Sequence, residues 1–511
     1  MATASQQVPY KGLISIAVML ATIMQVLDTT IANVALPHMQ GSLSATQDQI
    51  TWVLTSYIVA SAIMTLPTGW LAGRFGRKQV FLVSTAGFTL TSLLCGVADS
   101  IEAMVFYRIL QGCFGAAIVP LAQATMLDIN PREKHGSAMA LWGVGVMIGP
   151  ILGPTLGGYL TEYYNWRWVF LINLPLGILT FVGLWMFMPD SERSNRPLDG
   201  FGFVLLVLAI GSLQLILDRG EHVEWFQSRE ILFYCAIAAG AAWMYIVHTK
   251  NSASPFLTPA MFRDRNLVTS LVFIFFVGII LLATMALLPP YMQNLMGYPV
   301  LEVGTLMAPR GIGTMIGMMI VGRLSQRVDP RLLILTGLMA TAASLYEMSL
   351  FDTYVPPRLL VITGMVQGFG LGFIFVPLST IAYATLPSNL RAEAAGVFSL
   401  VRNLGSSIGI SLVIAVLSRS TQTNHAYLSE SVTPFTVGIS PLQIPGGLSA
   451  ETGMALSLLN AEVSKQAATI AYINDFRLMM WIVLLVAPLV LLLKRATPQA
   501  GESAPPPVAE H

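Results

Sequence analysis

The sequence is poor in charged residues, in cysteine and in any excess of one charge sign. Only 10% of its 511 residues are Asp, Glu, Lys or Arg, whereas a typical soluble protein has roughly 25%. The formal net charge is +1, so the chain presents no field that favours nucleic acid. The three cysteines lie in apolar stretches, and the six histidines form no pair at ligand spacing. These shortages exclude a large soluble protein and argue against a disulfide scaffold or a metal site.

Hydrophobic residues, by contrast, make up 55% of the chain. A helix that crosses a bilayer needs about 20 mostly apolar residues. We therefore predict an all-α polytopic membrane protein with fourteen spanning helices. They are placed near 12–36, 49–71, 79–98, 102–127, 136–160, 166–188, 200–217, 230–248, 267–290, 302–323, 331–350, 358–382, 393–417 and 475–493.

The positions of Lys and Arg predict how these helices are oriented. If the N-terminus is cytoplasmic, 17 of the 27 basic residues fall in cytoplasmic segments, 7 fall outside, and Arg108, Arg310 and Arg402 fall within helices. Membrane proteins concentrate Lys and Arg in their cytoplasmic loops. The alternation therefore predicts an even number of spans, with both termini in the cytoplasm.

The two ends of the chain resemble each other at a spacing of 252 to 260 residues. For example, GWLAGRFG at 69–76 matches GRLSQRVD at 322–329, and QGCFGAAIVPL at 111–121 matches QGFGLGFIFVPL at 367–378. Parallel halves of this kind are typical of transporters, with the substrate path between them. The repeat predicts two six-helix halves with two further helices inserted between them.

These features divide the chain into four predicted regions. They are an N-terminal half (1–188), a linker with two inserted helices (189–266), a C-terminal half (267–495) and a disordered cytoplasmic tail (496–511). Within the C-terminal half, residues 419–475 are predicted to form a 57-residue external loop. This loop is predicted to be irregular over 434–447 and helical over about 449–473, where apolar residues recur at helical spacing.

Several motifs resemble those of a known family. LDTTIANVALP at 27–37 is similar to a first-helix signature, and GWLAGRFGRK at 69–78 to a loop between helices two and three. YRILQGCFGAA at 107–117 is similar to a fourth-helix motif, and GVGVMIGPILGPTLGGYL at 143–160 to an antiporter motif on helix five. The chain thereby resembles the 14-helix drug:proton antiporters of the major facilitator superfamily, the EmrB/QacA group, and within it EmrB-type multidrug efflux pumps.

The resemblance implies a major facilitator fold in the bacterial inner membrane. It implies proton-coupled export of structurally varied amphipathic toxic compounds by alternating access, with the proton gradient as energy source and no cofactor. A periplasmic adaptor of EmrA type and an outer-membrane channel are implied partners. The motif residues are Gly145, Gly149, Pro150, Gly153, Pro154, Gly157 and Gly158 on helix five, and Gly69, Arg74, Gly76 and Arg77 in the cytoplasmic loop.

The loop motif departs from the family pattern at one position. Relatives usually carry Asp where this chain has Gly73, and that acid is thought to help latch the cytoplasmic side. An acid-based latch therefore cannot be transferred to position 73. Arg74 and Arg77 either take part in another latch or only set the topology.

Asp28 and Arg108 are the first candidates for chemistry. An ionisable residue within a membrane helix is costly and is a functional hypothesis by default. Asp28 lies about nine residues and Arg108 about seven residues from the outer ends of their predicted helices, so their depths agree within one turn. We predict that the two charges meet and couple proton movement to transport. The alternative is a static ion pair that pins two helices.

Helix five places glycines four residues apart on one face, a spacing that allows close helix packing. Pro150 and Pro154 each remove a backbone hydrogen bond and favour a bend. The glycine face is predicted to form a tight seam between the two halves. It acts either as plain packing or as a bend that controls leakage.

Other polar and aromatic residues are candidates for a substrate cavity. Arg310 and Arg402 either order backbone carbonyls or meet anionic groups of the substrate. Aromatic residues and methionines could line an adaptable apolar cavity, although each is more often a packing residue. The full set of cavity candidates is Gln25, Asn33, Trp52, Tyr57, Gln111, Trp142, Arg310, Gln367, Phe373 and Arg402.

Three other functions compete with an antiporter. A membrane enzyme would need a cluster of His, Cys and Asp or a nucleophile motif, and direct ATP use would need a Walker A loop, yet no Lys follows a Gly. A channel is disfavoured by the two-half repeat. The nearer alternative is a proton-coupled carrier of a specific endogenous metabolite with the same fold.

Overall fold

The computed structural model describes residues 10–191, 193, 197–220, 223–252, 254–325, 327–431 and 453–493. The predicted tail at 496–511 and the predicted irregular segment at 434–447 lie outside these residues. Within the described part, every regular element is helical, as the sequence predicts. The α-helices are α1 (Lys11–Ser42), α2 (Gln47–Thr65), α3 (Thr68–Phe75), α4 (Arg77–Gly96), α5 (Ile101–Gly115), α6 (Ile118–Asp128), α7 (His135–Tyr163), α8 (Trp168–Leu171), α9 (Asn173–Phe187), α10 (Gly200–Arg219), α11 (Arg229–Asn251), α12 (Arg265–Pro290), α13 (Val300–Leu324), α14 (Pro330–Met348), α15 (Pro357–Ala384), α16 (Ser388–Glu430) and α17 (Gly453–Val486).

Twelve helical segments of the described chain are long and apolar enough to cross a membrane. The number rises to 13 if α2 and α3, which meet at a bend of 54°, form one span. The bend falls beside Pro67, which cannot donate a backbone hydrogen bond. The predicted span at 331–350 is helical as α14, but it is not among the candidate spans. The count of fourteen spans therefore stays a prediction.

The same pairing of helices occurs twice along the chain. In the first part, α1 packs on α7, α2 on α5, and α4 on α9. In the second part, α12 packs on α16, α13 on α15, and α14 on α17. Counted as successive spans, both sets join positions one with five, two with four, and three with six. We call α1–α9 the N-half and α12–α17 the C-half.

The described parts of the predicted external loop, within 419–431 and 453–475, are helical. Helix α16 continues to Glu430, and α17 begins at Gly453. Because residues 410–430 contain neither Gly nor Pro, nothing ends the helix where the apolar run ends. The two arms touch: His425 Nε2 lies 3.0 Å from Asn460 Oδ1, and Asn474 donates to Ser420 Oγ at 3.3 Å. We call residues 419–431 and 453–475 the hairpin extension.

The bundle has two ends that differ in charge. We call the end with Arg77, Arg391 and Arg331 the basic end, and the end with the hairpin extension the hairpin end. The first helix begins at the basic end, because Tyr10 packs against Phe187, four residues before Ser191, which accepts from the backbone of Arg77.

The inserted helices lie beside the two halves. Helix α10 packs on α2 and α16, where Gln214 donates to Ser407 at 2.7 Å, and α11 packs mainly on α10. Asp199 caps α10 by accepting from Gly202 N at 2.9 Å, and it lies 2.9 Å from His248 of α11. Burial alone would raise the pKa of Asp199, but the hydrogen bonds from Gly202 and His248 outweigh it and lower that pKa. This carboxylate therefore fastens α11 to the start of α10.

Candidate functional site

Asp28 and Arg108 form a buried ion pair in the N-half. Arg108 Nη1 lies 2.7 Å from Asp28 Oδ2, and neither residue is exposed to solvent. Asp28 belongs to α1 and Arg108 to α5. The two charges therefore meet, as their predicted depths allow. An ion pair without solvent contact is stable only if its remaining polar atoms are also satisfied.

Neutral polar side chains surround the carboxylate of Asp28. Gln111 donates to Asp28 Oδ1 at 3.0 Å, and Asn173 donates to the same oxygen at 2.8 Å. Gln111 also donates to Ser92 Oγ at 2.6 Å, so that α1, α4, α5 and α9 meet at this point. With the arginine, three side chains donate hydrogen bonds to this one carboxylate.

The guanidinium of Arg108 makes two further contacts, while its Nη2 has no hydrogen-bond partner. Its Nε donates to the carbonyl oxygen of Val53 at 3.0 Å, and its Cζ lies 4.1 Å from the centre of the Tyr57 ring. Tyr57 OH accepts from Gln25 Nε2 at 3.0 Å. Two predicted cavity residues, Gln25 and Tyr57, thus belong to the surroundings of the ion pair. A proton that reached Asp28 would remove the charge that Arg108 pairs with, and the cluster would have to rearrange.

The sequence analysis missed Asn173 and Ser92 in this cluster. Asn173 is the only amide in the apolar segment 168–187, and that isolation was an available signal. Ser92 gave none, because serine is common in membrane helices, where its hydroxyl can bond to its own backbone.

The glycines of α7 form a close seam with α1 rather than between the halves. A Cβ atom at Gly149 would lie 2.8 Å from the backbone nitrogen of Leu27, and one at Gly157 would lie 2.9 Å from Ile31. Gly145 faces Met19, and Gly153 faces Thr30. The expectation that this seam separates the halves was wrong, because its partner α1 belongs to the same half. The seam instead fixes the helix that carries Asp28.

Gly158 of the helix-five motif does not belong to this seam. A Cβ atom at Gly158 would meet nothing within 4 Å. Pro150 and Pro154 lie within the continuous helix α7. Thr30 Oγ1 donates to the carbonyl oxygen of Gly149 at 3.2 Å, a further tie between α1 and α7.

Another face of α7 makes one of the contacts between the halves, with α13. A Cβ atom at Gly143 would lie 2.5 Å from Sδ of Met318 on α13, and Gly311 of α13 faces Ile151 of α7. Nearer the basic end, Ser137 Oγ donates to the carbonyl oxygen of Gly322 at 3.0 Å. Helix α7 therefore touches α1 with one set of small residues and α13 with another.

Charged residues join the halves at the basic end. Asp128, at the end of α6, pairs with Arg77 of the same half and with Arg391 of the C-half, the latter at 2.8 Å. Asp128 supplies a carboxylate at this end, where Gly73 cannot. Gly69 permits close packing nearby, since a Cβ atom there would lie 2.5 Å from Cα of Glu393.

Gly76 and Arg74 complete the predicted loop motif. Gly76 has φ of +91°, a conformation that favours glycine, and it separates α3 from α4. The next residue, Arg77, donates its backbone N–H to Ser191 Oγ at 2.7 Å. Arg74 lies in the last turn of α3, at the basic end.

The C-half contains a related but differently charged site. Gln367 donates to Thr284 Oγ1 at 3.3 Å, and both residues are buried. Nearby on α13, Arg310 is 5% exposed and donates from Nη2 to the carbonyl oxygen of Leu281 at 3.1 Å. Its Nη1 has no hydrogen-bond partner, and in the described chain it forms no ion pair. This half therefore contains a buried positive charge without a matching acid.

The other predicted cavity residues have different environments. Trp142 is buried, donates to Thr22 at 3.2 Å and stacks on Phe375 of the C-half with ring centres 6.0 Å apart. Phe373 instead packs on Gly337 of α14, within the C-half. The remaining three are Trp52, which lines a groove between α2 and α5, Asn33, which is exposed, and Arg402, which is half-buried on α16.

The comparisons with known proteins agree. The sequence matches the Major Facilitator Superfamily over residues 18–410. The chain belongs to that superfamily. It is 36% identical over 431 residues to the multidrug export protein EmrB of Haemophilus influenzae, covering 83% of this chain and 84% of that protein. It is 32% identical over 500 residues to the fatty acid resistance protein FarB of Neisseria gonorrhoeae, covering 95% and 97%.

The fold agrees with membership of the major facilitator superfamily. The superfamily's proton:xylose symporter XylE superposes with a TM-score of 0.60 at 12% identity, covering 96% of this chain and 100% of that one. The predicted family and its all-α fold are confirmed. This superfamily member is a multi-pass membrane transporter rather than an enzyme.

Proposed function

We propose that this protein is a proton-coupled exporter of amphipathic toxic compounds in the bacterial inner membrane. The name of EmrB, a multidrug export protein, supports export as the direction of transport. The charge distribution supports a cytoplasmic basic end with both termini there, because Lys and Arg are concentrated at that end. Cargo, protons and lipid are then the partners of the bundle.

The observation that carries this proposal is the sealed Asp28–Arg108 pair. A proton on Asp28 neutralises the acceptor of three donors at once, so the conformation that holds those donors loses stability. Exchange of that proton between the two sides would drive the change between outward-open and inward-open forms. The driving force suffices, at about 2.3 kcal/mol per proton per 100 mV and about 1.36 kcal/mol per pH unit.

The contacts at the basic end describe one stage of this cycle. With Asp128 bridging Arg77 and Arg391, and with Gly69 against Glu393, the halves are joined on the cytoplasmic side. Opening to the cytoplasm requires these contacts to separate. The same small residues of α7 and α13 then act as the surface on which the halves move.

A long-chain carboxylate is a second candidate cargo. FarB is named for fatty acid resistance and covers nearly the whole chain. Arg310 offers a buried guanidinium nitrogen without a partner, which suits a carboxylate headgroup. The alternative of a carrier for one endogenous metabolite has no comparable support.

The hairpin extension is proposed to dock a periplasmic adaptor of EmrA type, which leads to an outer-membrane channel. Its support is position, because two helical arms project beyond the predicted end of their spans. Deleting residues 425–460 removes the His425–Asn460 contact and the distal arms. Loss of adaptor co-purification would support docking there. Unchanged recovery would contradict it and leave the extension as a lid or an inert insertion.

The deciding experiment combines cells and vesicles. Cells with and without the gene are compared for susceptibility to a panel of amphipathic dyes and fatty acids. The purified protein is then placed in oriented vesicles, where we expect a proton gradient to drive dye accumulation. Dye accumulation that is the same with and without the proton gradient would overturn the proposal. Transport of a single metabolite only would also overturn it.

A further inference from the structure

Asp475 is a second buried carboxyl, and its surroundings differ from those of Asp28. It lies on α17, is fully buried, and neither of its carboxyl oxygens has a hydrogen-bond partner. In the described chain it forms no ion pair. An ionised carboxylate without a partner is among the costliest groups to bury. The neutral acid avoids that cost, so the surroundings of Asp475 favour a bound proton.

The residues beside Asp475 form an aromatic cluster. Tyr472 and Phe476 of α17 lie 5.3 Å and 6.4 Å from the ring centre of Tyr291. Phe351 lies 6.5 Å from Phe476 and completes the cluster. All four rings are buried, as is Asp475. Tyr291 OH donates to the carbonyl oxygen of Asp352 at 2.7 Å and is thereby committed elsewhere.

No charged group on the helices that pack against α17 compensates a negative charge on Asp475 in the described chain. Helix α12 and the turn after it carry no ionisable side chain over 266–295 except the phenol of Tyr291. Helix α14 brings Glu347 near its hairpin end, and α16 brings the exposed Arg419 beside Ser420, which contacts Asn474. Arg477 of α17 itself is exposed. None of these pairs with Asp475 in this conformation.

The cluster connects Asp475 to a hinge in α12. That helix ends with Pro289 and Pro290 and continues as a π-helical turn, Tyr291–Leu295. Such turns occur frequently at functional sites, because they interrupt the regular backbone hydrogen bonds. Tyr291 belongs to the turn and packs on α17, so movement of the turn would open the cluster. Two turns of helix earlier, α12 carries Thr284 of the central site.

We propose that Asp475 is a second proton-binding carboxyl, which holds a proton while the aromatic cluster is packed and releases it when the hinge of α12 admits water. The carboxyl O–H bond breaks, and the proton passes to water at the hairpin end. This extends the proposed proton coupling to the C-half. The bound proton itself can be measured without any transport.

The test is infrared difference spectroscopy of the purified full-length protein between neutral and alkaline pH. We expect a carbonyl band of a protonated buried carboxyl at neutral pH, lost in Asp475→Asn and kept in Asp28→Asn. Unchanged bands in Asp475→Asn would overturn the proposal. Melting temperature checks folding, and Asp475→Leu should be as stable as wild type because it removes two unpartnered polar atoms. A large loss of stability in both variants would also contradict a neutral, unpartnered acid.

A transport readout separates this proposal from the proposed function. In oriented vesicles, Asp475→Asn should keep cargo transport but shift the pH of half-maximal rate by about one unit, a tenfold change in proton concentration. An unshifted profile would count against a role in coupling. If the wild type moves no amphipathic cargo at all, the proposed function is wrong. The infrared bands still test independently whether Asp475 binds a proton.

Discussion

The two halves hold charge differently at corresponding places. Gln111 donates to Asp28 in the N-half, and Gln367 donates to Thr284 in the C-half, with each residue 256 positions after its counterpart. The same spacing from Arg108 leads to Gly364. The repeat has therefore kept the amide and an oxygen acceptor while losing both members of the ion pair.

The charge that the C-half does contain comes from another helix. Arg310 lies on α13, and its Cβ is 3.7 Å from the place where Gly364 would carry a side chain. The charges of Asp28 and Arg108 cancel, so this pair can be buried without a ligand. A buried guanidinium that has no acid beside it needs an anion or water to compensate its charge. We therefore propose that the N-half binds the proton at the centre and that the C-half recognises an anionic cargo.

The largest expected effect comes from removing the acid of the N-half. Asp28→Asn keeps the shape of the side chain and removes its titration, so proton-driven efflux should fall on the order of 100-fold, with normal membrane insertion. Asp28→Glu should retain some activity at a shifted pH optimum. Transport in oriented vesicles measures both.

The matched control for this change lies in the C-half. Thr284→Asn places the same amide at the corresponding position and should leave the pH dependence of transport unchanged. If Asp28→Asn transports at the wild-type rate with an unchanged pH profile, the ion pair is only a contact between helices. Equal losses in both variants would remove the distinction between the halves.

The seam beneath Asp28 gives the next largest effect. Gly153→Leu would push α1 away from α7, because Thr30 occupies the space, and overpacking of this kind costs about 1–3 kcal/mol. We expect loss of transport with membrane insertion intact. Gly158→Leu, on open space five residues later, is the control and should behave as wild type. Normal efflux by Gly153→Leu would show that the seam does not position Asp28.

The sequence predicted these sites unevenly, for physical reasons. Asp28 and Arg108 were predictable because charges are rare in apolar helices, whereas the neutral Ser92 carried no such signal. The glycine spacing on α7 predicted a close contact, but a single sequence does not state which helix fills it. The apolar run ends near residue 419, but helix α16 continues to Glu430. A prediction from hydropathy therefore placed a loop where the chain is still helical.

The loop motif shows a further limit. Gly73 replaces the acid on which the family pattern relies, and residues 69–78 contain no other acid. In the structure the carboxylate comes from Asp128, which is distant in sequence and adjacent in space. Such a replacement depends on tertiary packing and cannot be found from local spacing.

Arg310 tests the cargo side of the comparison. Arg310→Gln removes the charge and keeps a donor, and hydrogen bonds to charged groups contribute about 1.5–3 kcal/mol. Export of a fatty acid should weaken about 10- to 100-fold in apparent affinity, while a neutral amphipathic dye should move as in wild type. Arg310→Lys should recover part of the loss. Equal effects on both cargoes would indicate that Arg310 only orders the backbone at Leu281.

The smallest effect is expected where the halves are joined at the basic end. Arg391→Gln removes the bond between Asp128 and the C-half but leaves Arg77 on the same carboxylate. Asp128 is partly exposed, and exposed ion pairs contribute about 1 kcal/mol or less, which is a shift of about fivefold or less between closed and open forms. Hydrogen exchange at residues 128–137 should therefore rise by that factor. Lys250→Gln, at the same end on α11, should leave exchange unchanged. The packing of α7 on α13 remains in Arg391→Gln, so transport should persist. Complete loss of transport would mean that the Asp128–Arg391 ion pair, rather than the packed glycines, holds the halves together.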